Sequence, residues 1–299
     1  MRRLTEVETA QKFVLPDRRQ LGFSVVGEGA PVLYFHGTAS SRLEALLLMK
    51  FASKYGFQVI GVDRPGYGLS TFAPRCCLSD FTADINCLMD HLGLKRFALL
   101  TWSGGGPFGL TYVALFPERV SKAVIVGSPS LPFDVSTAHN SSLARFAMKI
   151  PVLGILGLKR FRAEVLKANK DIDAFLASKN GLKMVASWPE TDAKFFANPA
   201  WLRLMYGSMA EGFRQENYGV KAVFQEHQLF IKPWNEPISP IPASKVHIWH
   251  GTEDTTCRLD NAYRLVQTIP NASLEVFEGK GHCVLFDNLG KLRETFSLR

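Results

Sequence analysis

Ser103, Asp254 and His282 are the residues of this chain whose types and surroundings could together perform nucleophilic acyl transfer. A serine hydroxyl is a weak nucleophile near neutral pH until a base within hydrogen-bond reach takes its proton, and an imidazole serves best when a carboxylate fixes its tautomer. Ser103 stands in Phe97-Ala-Leu-Leu-Thr-Trp-Ser-Gly-Gly-Gly-Pro-Phe-Gly109, an apolar run, then glycines, then a helical pattern. This is the setting of a nucleophile at the apex of a strained strand-to-helix turn, where the flanking backbones nearly touch and small neighbours are needed. Gly105 meets that need two residues after Ser103; two residues before it, where Gly-x-Ser-x-Gly has another glycine, stands Thr101.

Two other readings use the same residues. Gly104, Gly106 and Gly109 satisfy Gly-x-Gly-x-x-Gly, a dinucleotide-binding pattern that calls for an acidic residue about 20 positions on, at the end of the next strand. The next apolar run ends in Val126-Gly-Ser128 without an acid, so no nucleotide or other cofactor is expected. Alternatively, the turn is structural and the serine merely caps a helix.

The partners lie downstream. Val246-His-Ile-Trp-His-Gly-Thr-Glu-Asp254 places a carboxylate just past one apolar run, and Leu274-Glu-Val-Phe-Glu-Gly-Lys-Gly-His282 places an imidazole past the next. Asp254 could also cap a helix starting near Arg258, Glu253 is an adjacent rival, and Asp134 is an alternative acid; Asp254 is the preferred one. Of seven histidines, His282 alone lies in the last strand-to-helix loop.

Such residues meet only if the elements bring their loops to one edge. Short apolar runs alternating with helical patterns imply a mostly parallel sheet flanked by helices, an α/β class, and parallel strands all end on the same side. Candidate strands are Val32–Phe35, Gln58–Val62, Phe97–Leu100, Ala123–Val126, Val246–Trp249 and Ser273–Phe277. Phe81, Ile85, Leu88, Met89 and Leu92 repeat at helical spacing, with Ser79 or Asp80 as N-cap and Gly93 as terminator. Lys12–Leu15 and Gln20–Val26 flank a turn and read as an antiparallel hairpin. From Pro129 to about Ala243 the strand-like runs give way to helix-length segments rich in Phe, Met, Trp and Lys.

Composition sets the outer limits. Of 299 residues, 46% are hydrophobic and 21% charged, as in an ordinary globular protein. No stretch approaches the roughly 20 apolar residues of a membrane helix, and Met1-Arg-Arg is followed by no apolar run, so a cytoplasmic protein without a membrane span is expected. Five cysteines have neither metal-ligand nor disulfide-framework spacing, so no metal is expected. The formal charge of +8 is scattered and reads as a solvated surface, not a nucleic-acid site. A small molecule is the expected partner; oligomeric state is left open.

The ordered motifs resemble the α/β-hydrolase superfamily over about Phe23 to Val126 and Val246 to Phe286. They include His36-Gly37 after the first core strand, Asp63-Arg-Pro-Gly-Tyr-Gly-Leu-Ser70 after the second, the turn at Ser103 and both later loops. The resemblance implies an α/β-hydrolase core of residues 1–128 and 244–299 with a helical lid at 129–243. It also implies an oxyanion hole made by the backbone N–H of Thr38 together with that of Gly104, with His36 holding the loop. Trp102, Trp201, Met205 and Trp234 are the candidates to contact substrate; Trp201 and Met205 would share a helix face. Serine in place of a carboxylate argues against epoxide hydrolase or haloalkane dehalogenase chemistry, and His36-Gly-Thr-Ala-Ser lacks the His-Gly-Gly-Pro-Gly of proline iminopeptidase relatives. Hydrolysis of an ester, lactone or thioester is expected, with a carbon-carbon bond hydrolase, a lyase, a cyclase or a ligand-binding member of the fold as alternatives.

Overall fold

The structure is a computed structural model that describes residues 7–74, 76–133, 150–186, 188–234, 237–238 and 240–297. Eight strands form one sheet: β1 (Val7–Val14), β2 (Gln20–Val26), β3 (Ala30–Phe35), β4 (Phe57–Val62), β5 (Phe97–Trp102), β6 (Val120–Val126), β7 (Val246–Gly251) and β8 (Ser273–Phe277). Their order is β1-β2-β4-β3-β5-β6-β7-β8. The β1–β2 hairpin runs antiparallel, β2 is antiparallel to β4, and the other six strands are parallel. Each expected strand is present, most of them a few residues longer.

The central strands read as unbroken apolar runs because both faces of the sheet are covered. Alternate residues serve different cores. Leu33, Phe35, Ile60, Leu99, Ile125 and Ile248 belong to one cluster, packed with α2 (Thr82–His91), α3 (Gly106–Leu115) and α10 (Asp260–Thr268). Val32, Tyr34, Val59, Leu100, Val124 and Trp249 belong to the other, with α1 (Met49–Tyr55), α11 (Val284–Asp287) and α12 (Leu289–Ser297). The expected helix before β5 is present, but its entry differs. A 3-10 turn at Ser79–Phe81 precedes it, and Asp80 accepts from the N–H groups of Cys76 and Cys77 instead of capping the helix. Gly93, with φ +71°, follows its end as expected.

Between β6 and β7 lie the helices α4 (Pro151–Lys170), α5 (Ile172–Ala177), α6 (Lys179–Ala186), α7 (Glu190–Phe196), α8 (Pro199–Gly212) and α9 (Asn217–Phe230). They share a third apolar cluster that includes Leu158, Phe175, Leu202, Phe213 and Val220 and reaches Ala39 and Tyr67 of the loops below. Among the described residues no helix is long and apolar enough to cross a membrane.

Candidate active site

The parallel strands end on one side of the sheet, and the loops leaving β3, β5, β7 and β8 carry Thr38, Ser103, Asp254 and His282. Trp102 is extended at φ −128° and ψ 137°, and Ser103, which follows, has φ +53°. A side chain held in that left-handed region costs about 1–2 kcal/mol, and such strain is concentrated where function needs it. The helix beyond can turn back only because residue 105 is glycine: a Cβ there would lie 2.2 Å from the Phe35 carbonyl oxygen. The other glycines of the segment are used in packing. Gly104 faces Thr38, Gly106 faces Ser128, and Gly109 leaves room for the Thr101 methyl.

His282 Nδ1 lies 2.7 Å from Asp254 Oδ2, and both side chains are buried. The other oxygen, Oδ1, accepts the backbone N–H groups of Thr256 and Cys257 at 2.8 Å each. Asp254 therefore closes its own loop and orients the imidazole at once. Glu253 points to solvent, and Asp134 lies outside the described residues. Burial disfavours a charged His282, but the charge and hydrogen bond of Asp254, with smaller help from Asp192 and Glu44, outweigh it and raise its pKa above the ordinary histidine range. His250, 3.5 Å from Asp254 Oδ2, is bonded to the Cys257 carbonyl and has its pKa lowered by burial. It stays neutral near pH 7 and does not compete for the carboxylate's charge. Gly127, with φ +54°, lies against the pair: a Cβ there would stand 3.1 Å from His282 Nδ1.

Trp102 joins the serine turn to this loop, its indole N–H donating to the His282 carbonyl at 2.9 Å. Across the site, a Cβ on Gly37 would lie 3.5 Å from Ser103 Cβ, and one on Gly104 would lie 3.0 Å from the Thr38 nitrogen. The backbones of Thr38 and Gly104 are thus adjacent beside Ser103. The Gly37 N–H is engaged, donating to Glu44 at 2.9 Å. His36 is fully buried, with Nδ1 2.7 Å from the Gly37 carbonyl oxygen and its ring edge-on to Tyr67.

Four charged residues around the site were not anticipated. The buried Arg64 guanidinium donates to the carbonyls of His36 and Gly37 at 2.6 and 3.1 Å and pairs in two places with Glu226 of α9, at 2.8 and 3.0 Å. Glu226 also accepts from the Thr38 and Tyr67 hydroxyls at 2.7 and 3.1 Å. Glu44, its pKa pushed up by burial, accepts from the Tyr34 hydroxyl as well as from Gly37. Asp192 of α7 accepts from the backbone N–H groups of His282 and Cys283.

The aromatic candidates are dispersed. Trp201 and Met205 do share a face of α8, where they join the cluster around Phe286; the Trp201 ring is 4.5 Å from that of Phe195 and 5.4 Å from that of Phe286. Trp234 packs, half-buried, against the cluster on the opposite sheet face.

A family model of the alpha/beta hydrolase fold matches residues 30–289. A 2-hydroxy-6-oxononadienedioate/2-hydroxy-6-oxononatrienedioate hydrolase of Comamonas testosteroni is 25% identical over 92% of this chain and 90% of its own. Two other curated relatives are matched over only 37% and 51% of their length. Among solved structures, a meta-cleavage product hydrolase from Pseudomonas fluorescens aligns with a TM-score of 0.65 at 20% identity, covering 96% of this chain and 95% of that one. An esterase from Exiguobacterium antarcticum aligns at 0.60 and 20% identity, covering 96% and 97%. These structural likenesses concern the fold, and the family match shows that the chain belongs to the α/β-hydrolase fold family.

Proposed function

We propose that the protein is a serine hydrolase that cleaves an ester, lactone or thioester of a partly apolar small molecule through an acyl-enzyme. The observation that carries this reading is the 2.7 Å contact between His282 Nδ1 and Asp254, which leaves Nε2 to face a substrate-side proton, joined through Trp102 to a serine held at φ +53°. Ser103 passes its proton to His282 Nε2 as its oxygen attacks the carbonyl carbon. Asp254 stabilises the imidazolium that forms. The N–H groups of Thr38 and Gly104 receive the negative oxygen, each worth about 3 kcal/mol to the transition state. His282 then gives its proton to the departing alkoxide or thiolate. Water, deprotonated by the same imidazole, releases the acid and restores Ser103.

In this reading residues 1–128 and 244–299 form the catalytic core and 129–243 a lid over it, whose apolar side chains select the substrate. Carbon-carbon bond hydrolysis is the second reading, favoured by the named activity of the Comamonas relative. Turnover separates the two: short-chain aryl esters should be hydrolysed with a burst of alcohol release that Ser103→Ala abolishes. Turnover of 2-hydroxy-6-oxononadienedioate with no ester cleavage would favour the second.

A further inference from the structure

Asp192 lies on α7, within the helical insertion, and 90 residues separate it from His282. Its buried carboxylate nevertheless takes the backbone N–H of His282 on Oδ2 and that of Cys283 on Oδ1, both at 2.9 Å. These two donors sit at the entry to α11, and leaving either buried without a partner would be destabilising. The loop is shaped for the carboxylate. A Cβ on Gly281 would stand 2.4 Å from Asp192 Oδ2, although Gly281 itself does not have a positive φ that would demand glycine.

We propose that Asp192 is a positioning residue: the insertion reaches into the catalytic loop and fixes the backbone from which the His282 imidazole projects, so that docking of α7 completes the base. This rests on the serine-hydrolase reading above. Trp102 holds the His282 carbonyl from the core side and Asp192 holds its N–H from the insertion side. The peptide is therefore clamped at both ends by different parts of the fold. The groups that act on the imidazole are Asp254 and the neutral His250 from the β7 region, Glu44 from the turn after β3 and Asp192 from α7; the thiol of Cys283, next in the chain, is kept protonated by burial and by Asp192. Removing the Asp192 charge takes away one of the influences that favour the imidazolium.

The test compares wild type, Asp192→Asn and Gly281→Ala in the full chain, by rate of fluorophosphonate labelling and by the pH profile of aryl-ester kcat/KM, with thermal unfolding alongside. Asp192→Asn should label at least tenfold more slowly, with the acid limb of its profile moved to lower pH and KM little changed. Gly281→Ala, which crowds the carboxylate off both N–H groups but keeps its charge, should slow labelling with a smaller movement of the limb. If Asp192→Asn does not fold, the Gly281→Ala labelling rate decides. Variants that melt at lower temperature yet label at the wild-type rate with an unmoved limb would reduce Asp192 to a structural contact and overturn the proposal. A wild type that is not labelled at Ser103 would instead remove the serine-hydrolase reading, and this proposal with it.

Discussion

Thr101 and Gly109 are fitted to each other across the strand-to-helix turn: the Thr101 methyl carbon lies 2.4 Å from where a Cβ on residue 109 would be. The departure from glycine two residues before Ser103 is therefore matched on the facing helix, not simply tolerated. Gly109→Ala should cost about 1–3 kcal/mol through overpacking. Thr101→Ser removes the offending methyl and should recover most of that loss in the double variant, as a double-mutant cycle of unfolding would reveal. Equal melting of Gly109→Ala and wild type would contradict the fit.

Asp254→Asn should lower kcat by roughly a thousandfold or more, because an amide neither favours the productive tautomer nor stabilises the imidazolium. Glu253→Gln should leave most activity, since Glu253 faces solvent. Steady-state rates on one ester substrate check both.

The acid limb of kcat/KM should lie above the ordinary histidine value of about 6.5, because His282 must be neutral to accept a proton and its folded pKa is raised. In Asp254→Asn the limb should fall, burial then dominating. The same raised pKa makes the charged pair stabilising below the ordinary histidine range, and that contribution is lost as pH rises through the folded value. The melting difference between wild type and His282→Gln should therefore narrow as pH increases, and a difference independent of pH would contradict the assignment.

Glu226→Ala should cost about 3–5 kcal/mol, since it strands the fully buried Arg64 guanidinium. Glu226→Gln, which keeps the acceptor for Thr38 but not the charge, should cost less. Denaturant unfolding of both variants measures this, and an alanine variant within about 1 kcal/mol of wild type, well below the loss expected for a broken buried pair, would contradict it.

Trp201→Ala should lower stability by about 2–4 kcal/mol, somewhat less than a fully buried aromatic, because its ring packs on Phe195 and Phe286. If it also lines the substrate site, the order of preference across acyl chain lengths will change; Trp234→Ala, in the opposite cluster, provides the control. An unchanged order with lowered stability assigns Trp201 to packing alone.

The strands and the Asp254–His282 contact could be read from the sequence because their signals are local. Buried parallel strands are continuous apolar runs, and Ser103, Asp254 and His282 each stand in the loop that follows one. Arg64, Glu226 and Asp192 could not be read that way, since each acts through contacts distant in the chain, as far apart as the 188 residues between Thr38 and Glu226; Glu44 meets Tyr34 and Gly37 only 10 and 7 residues away, but no pattern in the sequence marks that turn. A faint signal existed: Glu226 lies three residues after Val223 and four before Phe230 on the buried stripe of α9, and a charge on such a stripe requires a buried partner. Arg64 stands within Asp63-Arg-Pro-Gly, but nothing local pairs it with Glu226. The N-cap at Ser79 or Asp80 failed for the opposite reason, because Asp80 met nearer donors in the preceding loop.

The most direct test of the account is to locate the adduct after the full chain reacts with a fluorophosphonate, by mass spectrometry of its peptides. One stoichiometric adduct is expected on Ser103, formed orders of magnitude more slowly in His282→Ala. An adduct on another serine with Ser103 unmodified, or unchanged labelling of Ser103 without His282, would contradict it.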